Sequence, residues 1–243
     1  METDLRVCQA ALARDRVLYL DLTEAVRRGD GRVVAALPHG ALVSFHNYEQ
    51  DGQELGFTMF ADDRETAERL LALLPPVPDF ITVHEALYLD LLRDRFGPAD
   101  MRPCWQVGYL HASPPPLPQL GAEVRRLDRS HLPAVLANYA LTNEGYLSWL
   151  VERGELYGAF DGDVLMAFVG RHAEGSIGLL DVLPPYRRRG LATLLQSYMI
   201  ALELSRGHVP YGQVFDGNEP SLALQRSLGM ERSAGQLYWA TCD

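Results

Sequence analysis

The sequence predicts an α/β protein of two units, on three observations. Strand-length and helix-length apolar patterns alternate along both halves of the 243 residues. One stretch, Gly178 to Ala192, reads G-L-L-D-V-L-P-P-Y-R-R-R-G-L-A, an apolar run that passes through two prolines into a basic, glycine-bearing turn and straight on into a helix. Between the halves, Ser113 to Pro118 reads S-P-P-P-L-P, which suits neither helix nor ladder and is expected to form an extended linker.

In chain order, Leu5 to Ala13 is expected to be helical, and Asp21 to Arg28 forms a second short helix closed by Gly29. Gly31 to Leu37 and Ala41 to Tyr48 read as strands around a Pro38-His39-Gly40 turn, with a third strand from Leu55 to Phe60. Asp62 is placed to cap a helix that runs to about Leu74, where Pro75-Pro76 stops it. A strand (Phe80 to Val83), a helix (Glu85 to Phe96) and a strand (Trp105 to His111) complete the first unit, residues 1–112. After the linker, 113–120, the second unit (121–243) opens with a strand from Glu123 to Leu127 and helices near Ser130 to Ala140 and Glu144 to Arg153. Glu155 to Asp161 and Val164 to His172 form a hairpin around Gly162, and Ser176 to Leu183 is the strand before the basic turn. From Leu191 the apolar residues fall at Leu194, Leu195, Tyr198 and Leu202, one face of a 3.6-residue period, so this helix packs on a sheet. Tyr211 to Phe215, a helix from Pro220 to Leu228, and Gln236 to Thr241 finish the chain.

Composition narrows the function. A hydrophobic content of 47% with 22% charged residues is globular. The formal charge of −10 argues against a nucleic-acid partner, since phosphate neutralisation needs a basic face. All 22 basic residues are arginine, so covalent chemistry on lysine is excluded. Cys8, Cys104 and Cys242 have no zinc spacing and read as free thiols filling the core, in keeping with a reducing compartment. No apolar run has the length of a signal or approaches the roughly 18 residues of a membrane span, so a cytoplasmic protein with no membrane partner is expected.

The chemistry concentrates at the turn. The first amides of a helix have no internal acceptor and carry the positive end of its dipole, so a turn at 187–192 can bind a phosphate through its backbone. Arg187, Arg188 and Arg189 add charge, while Gly190 and Ala192 keep side chains out of the way, with Leu191 between them. Neither the nucleoside-triphosphate pattern G-x-x-x-x-G-K-S/T nor the dinucleotide pattern G-x-G-x-x-G is present. What stands there is Arg187-x-x-Gly190-x-Ala192, followed at a distance by Asn218, Ser221, Gly229 and Met230. In these two motifs the chain resembles the GCN5-related N-acetyltransferase (GNAT) superfamily, whose coenzyme A loop reads Q/R-x-x-G-x-G/A. The surrounding words, L-P-P-Y-R-R-R-G-L and H-V-P-Y-G-Q-V-F-D-G-N-E-P-S with S-L-G-M, are similar to the glycine N-acyltransferase-like branch and its bacterial relatives.

The resemblance implies a mixed, mostly antiparallel sheet flanked by helices in 121–243. It also makes the first unit, with its similar meander and aromatic last strand, a degenerate copy that lacks the loop. It further implies an N-acyltransferase moving acetyl from acetyl-CoA, or the group of another acyl-CoA, to the primary amine of a small molecule or amino acid. The implied cofactor contacts are the main chains of Leu180 and Val182, the loop Arg187, Arg188, Arg189, Gly190, Leu191 and Ala192, and Asn218 with Ser221. Asn218 also reads as a plain helix cap before Pro220. The chain departs from the family at both usual catalytic positions: Ser176 stands where many members have a glutamate base, and Gln225 where a tyrosine acid is common. Asp181, beside the expected bulge, and Glu144, on the helix that lines the acceptor site, are the candidate bases; Asp181 could equally pair with a loop arginine. Tyr146, Tyr211 and Tyr238 are unranked candidate acids. A non-catalytic acyl-CoA-binding module and a phosphate site for another nucleotide are the alternatives. The acceptor pocket is expected between the halves, beside Asn143 and Glu144, and residues 119–243 alone are expected to keep the cofactor cradle.

Overall fold

A computed structural model describes residues 2–46, 56–76, 78, 80–97, 100–139 and 143–241. The predicted strand ends at 48 and 55, the helix end at 140 and Cys242 lie outside them.

The first half begins with a 3-10 turn, Leu5–Cys8, and the short α1 (Gln9–Leu12). It continues through α2 (Leu20–Arg28), β1 (Gly31–Leu37), β2 (Gly40–Phe45), β3 (Gly56–Ala61), α3 (Arg64–Leu71), β4 (Phe80–His84), α4 (Leu89–Phe96) and β5 (Asp100–Gly108). The second half runs β6 (Glu123–Arg126), α5 (Leu132–Asn138), α6 (Glu144–Glu152), β7 (Leu156–Asp161), β8 (Val164–Arg171), β9 (Ile177–Val182), α7 (Leu191–Ser205), β10 (Tyr211–Phe215), α8 (Glu219–Ser227) and β11 (Glu231–Thr241).

Two boundaries differ from the expectation for local reasons. Asp63, not Asp62, caps α3, accepting the Thr66 amide at 2.7 Å, because the Asp62 carboxylate is engaged by Arg14. Helix α4 starts at Leu89 rather than Glu85, since Glu85 has φ +73°, a left-handed conformation that no α-helix contains.

The strands form two sheets, in the orders β1-β2-β3-β4-β11-β5-β10 and β6-β7-β8-β9. Every pair is antiparallel except β3 with β4, so the predicted mixed, mostly antiparallel sheet flanked by helices is what forms. The halves exchange their last strands. β11, from the end of the chain, lies between β4 and β5, while β5 from the first half supplies the partner of β10. Leu237 of β11 is therefore buried in the first half's core with Leu22, Val43 and Phe60, and Val107 of β5 is buried with Leu195, Met199 and Val214 of the second. Segment 113–118 carries no regular structure, as expected of a linker, but the division it makes in the chain is not a division in the sheet. β10 takes its pairing from β5, which lies outside residues 119–243, so the cradle expected of those residues alone lacks one flanking strand.

Buried charges also join the halves. Arg28 of α2, 1% exposed at its side chain, donates to the Gly175 carbonyl at 2.9 Å and the Val209 carbonyl at 2.7 Å, and pairs with Glu24 and Glu203. Arg171 bridges Asp30 and Glu155 at 2.9 and 3.1 Å. Cys8 and Cys104 are free and buried, and burial pushes the Cys8 thiol up to about 11 and that of Cys104 further, so both are inert core residues. No helix among the described residues is long and apolar enough to cross a membrane.

Candidate active site

The site is made by two strands that fail to pair. In the first half, β3 and β4 run parallel and hydrogen-bonded, Gly56 opposite Phe80 through Phe60 opposite His84. Their counterparts in the second half, β9 and β10, lie in different sheets. They approach at their starts, where a Cβ on Gly212 would stand 2.8 Å from the Ile177 carbonyl oxygen. A bulge drives them apart. Gly178 pairs with Gly170 but Asp181 with Phe168, so Leu179 and Leu180 face a single residue of β8, and Leu179 sits at φ +55°. A cleft of about 920 Å³ opens between β9, β10 and the first turns of α7 and α8.

The basic loop closes one end. Leu183 leads into a 3-10 turn, Pro184–Tyr186, then Arg188 adopts φ +63° and Gly190 φ +81° before α7 begins at Leu191. From Arg188 to Thr193, no main-chain amide donates a hydrogen bond among the described residues; the ladder resumes with Leu194 donating to the Gly190 carbonyl at 3.0 Å. Six consecutive amides without acceptors lie at the positive end of a 15-residue helix, where an anion would find donors. Gly190 favours the loop: its left-handed backbone suits glycine, and a Cβ there would meet only the end of the exposed Leu120 side chain, at 3.3 Å.

Ten of the twelve residues read as cofactor contacts or candidate bases line this cleft: Leu180, Asp181, Val182, Arg187, Arg188, Gly190, Leu191, Ala192, Asn218 and Ser221. Two do not. Arg189 turns its guanidinium over the Tyr186 ring at 5.5 Å, and Glu144 lies exposed in the first turn of α6. Asp181 takes the pairing arrangement, its carboxylate accepting the Val182 amide at 2.7 Å and standing 3.7 Å from Arg187. Val182 has both main-chain groups engaged, because Arg187 Nε also donates to its carbonyl at 2.9 Å. Asn218 caps α8 through the Ser221 amide at 3.3 Å while facing the cleft. Gln213 and Gln225 line the cleft, and Gln213 Nε2 and Gln225 Oε1 are buried without a hydrogen-bond partner among the described residues.

None of the three candidate tyrosines lines the cleft. Tyr211 is buried and donates to the Glu174 carbonyl, Tyr238 packs on the first half's core, and Tyr146 hydrogen-bonds His172 Nδ1 at 2.8 Å. His172 is a residue that sequence reasoning passed over. Its amide donates to the Ser176 carbonyl at 2.8 Å across the β8–β9 turn, which puts its ring on the cleft wall beside Ser176. The signal was present in the sequence as a hairpin pairing: a base missing at one position can be supplied from directly across the strands. Trp239, on the exchanged strand β11, also reaches the cleft, donating from Nε1 to Gln213 Oε1.

Residues 156–240 match the family model described as FR47-like protein. No curated protein sequence matches the chain. Among solved structures, a Drosophila protein shares the fold with a TM-score of 0.70 at 16% identity, over 98% of this chain and 94% of that one. A GNAT-family protein of Novosphingobium aromaticivorans gives 0.57 at 21% identity, over 93% and 97%. A GCN5-related N-acetyltransferase-like protein of Streptococcus suis gives 0.53 at 16% identity, over 96% and 99%. The family match spans β7 to β11, and the solved structures share the fold along nearly the whole chain.

Proposed function

We propose that the protein is an acyl-CoA-dependent N-acyltransferase that transfers acetyl from acetyl-CoA to the primary amine of a small molecule or amino acid, akin to the glycine N-acyltransferase-like branch. The observation that carries the reading is the splayed pair β9 and β10 with unpartnered amides 188–193 at its mouth. Those amides, with Arg187 and Arg188 beside them, suit a pyrophosphate; the edge of β9 at Leu180 suits a polar, extended arm between the strands. Coenzyme A supplies an acyl group activated as a thioester. The chain's own task is to orient it, to bring an amine alongside and to move one proton. The first half, with the same order of three strands, helix, strand, helix, strand, is read as a degenerate copy, since β3 and β4 pair along the line where a cofactor would enter.

Ser176 and Gln225 in place of the family's acid–base side chains favour the second reading, a module that binds acyl-CoA without turnover. Purified full-length protein mixed with acetyl-CoA and a panel of amines, followed by free thiol, separates the two. Thiol release well above hydrolysis with at least one amine is expected. Tight coenzyme A binding in a calorimeter with no release for any amine would leave only the binding module.

A further inference from the structure

We propose that His172 takes the proton from the acceptor amine, filling from across the β8–β9 hairpin the place that Ser176 leaves empty on β9. The inference rests on the acyltransferase reading above.

The geometry is local and over-determined. A Cβ on Gly178 would stand 2.3 Å from His172 Nε2 and 2.5 Å from Cδ2, so that edge of the ring packs against the one residue of β9 that leaves it room, on the wall of the cleft that Gly178 and Ser176 also line. Tyr146 of α6 holds the other ring nitrogen at 2.8 Å and stacks on the imidazole at 6.0 Å between centroids and 18° between planes. Trp239 of β11 meets the ring edge-on at 6.3 Å and 88°. The turn that carries it is pinned by Arg28 on the Gly175 carbonyl, Tyr211 on the Glu174 carbonyl, and Ser176 Oγ on the Glu174 carboxylate. Ser176 is thus occupied with Glu174, while His172 Nε2 has no hydrogen-bond partner among the described residues.

The protonation states follow from the surroundings. The groups that face the ring are Tyr146 from α6, Trp239 from β11, and Glu174 and Ser176 from its own hairpin. Burial pushes the His172 pKa below the ordinary imidazole value and outweighs the opposing Glu174 carboxylate, so the ring is neutral at neutral pH. Burial holds the Tyr146 phenol well above its ordinary value, so it stays protonated, and its oxygen can accept from Nδ1–H. With Nδ1 protonated, the lone pair lies on Nε2, the ring atom beside Gly178 of the cleft wall, as a base requires. As the amine nitrogen bonds to the acyl carbon and the carbon–sulfur bond breaks, one N–H proton passes to Nε2. The imidazolium, still held by Tyr146, then returns it to the thiolate, so amide, thiol and neutral ring are the balanced products. Tyr146 is a positioning residue in this scheme.

The test uses full-length protein, acetyl-CoA and the best amine of the panel, with His172→Gln and Tyr146→Phe. His172→Gln should lose about 100-fold or more in kcat, the usual contribution of a positioned base, with coenzyme A affinity kept. Independently of turnover, ¹⁵N shifts of the histidines in the ligand-free protein should show His172 with Nδ1 protonated, Nε2 bare, and titration below about 6.5. In Tyr146→Phe that preference for the Nδ1–H tautomer should weaken. An active wild type with a His172→Gln variant of equal kcat, or an Nε2-protonated ring in the free protein, overturns the role of His172 and leaves the acyltransferase reading standing. A wild type that binds coenzyme A but acylates nothing overturns both.

Discussion

At the scale of single residues, the described polar core is not confined to the cleft. His84 is fully buried among Asp21, Thr58, Gln106 and the Met59 carbonyl, where α2 meets β3, β4 and β5. Its Nδ1–H donates to that carbonyl at 2.9 Å, and Nε2 meets the Asp21 carboxylate at 2.9 Å, so both nitrogens are satisfied in the charged ring. Burial opposes the charge, but Asp21 outweighs it, aided by the Met59 carbonyl and the nearby Glu85, and the His84 pKa is raised. A raised folded-state pKa stabilises fully below the unfolded value and fades as pH climbs through the folded one. The difference in unfolding free energy between wild type and His84→Gln, from denaturant titrations, should therefore shrink as pH rises above about 6.5. A difference that grows with pH would mean the ring is neutral in the folded protein.

At the scale of elements, much was legible because it is written in short-range pattern. The meander β1–β3, the hairpin β7–β8, the strand Tyr211–Phe215 and the loop into α7 follow from period, turn residues and glycine, and the loop motif led to ten cleft-lining residues. The exchange of β5 and β11 was not legible, since strand pairing over that separation is chosen by whole faces rather than by any local signal. Nor was the pairing of Tyr146 with His172, which depends on where α6 lands on the hairpin turn. The contact of α2 with that same turn tests how the first half shapes the site. Arg28→Ala removes the donor to the Gly175 and Val209 carbonyls and leaves Glu24 and Glu203 buried with a cation missing. It should cost about 3–5 kcal/mol, read as a lowered denaturation midpoint. A loss below about 1 kcal/mol would mean that the remaining arginines, Arg27 and Arg206, neutralise the cluster without it.

At the scale of the molecule, the strand exchange makes the two halves one folding unit. Fragments 1–112 and 119–243 should each lack a cooperative unfolding transition when expressed separately, because β4 loses β11 in one and β10 loses β5 in the other. Mixed, they should assemble one to one and recover it, since only the extended linker is cut. A monomeric 119–243 that unfolds cooperatively by itself would contradict the exchange. The central claim is that the cleft between β9 and β10, with its amides at 188–193, is a coenzyme A site. Calorimetric titration of coenzyme A into wild type and Gly190→Asp tests it most directly. Asp tolerates the left-handed backbone better than most residues, so the fold should survive, while its carboxylate would crowd and repel a pyrophosphate. Saturable binding to the wild type and affinity at least about 100-fold weaker in the folded variant are predicted; equal affinity in both would place the cofactor somewhere else.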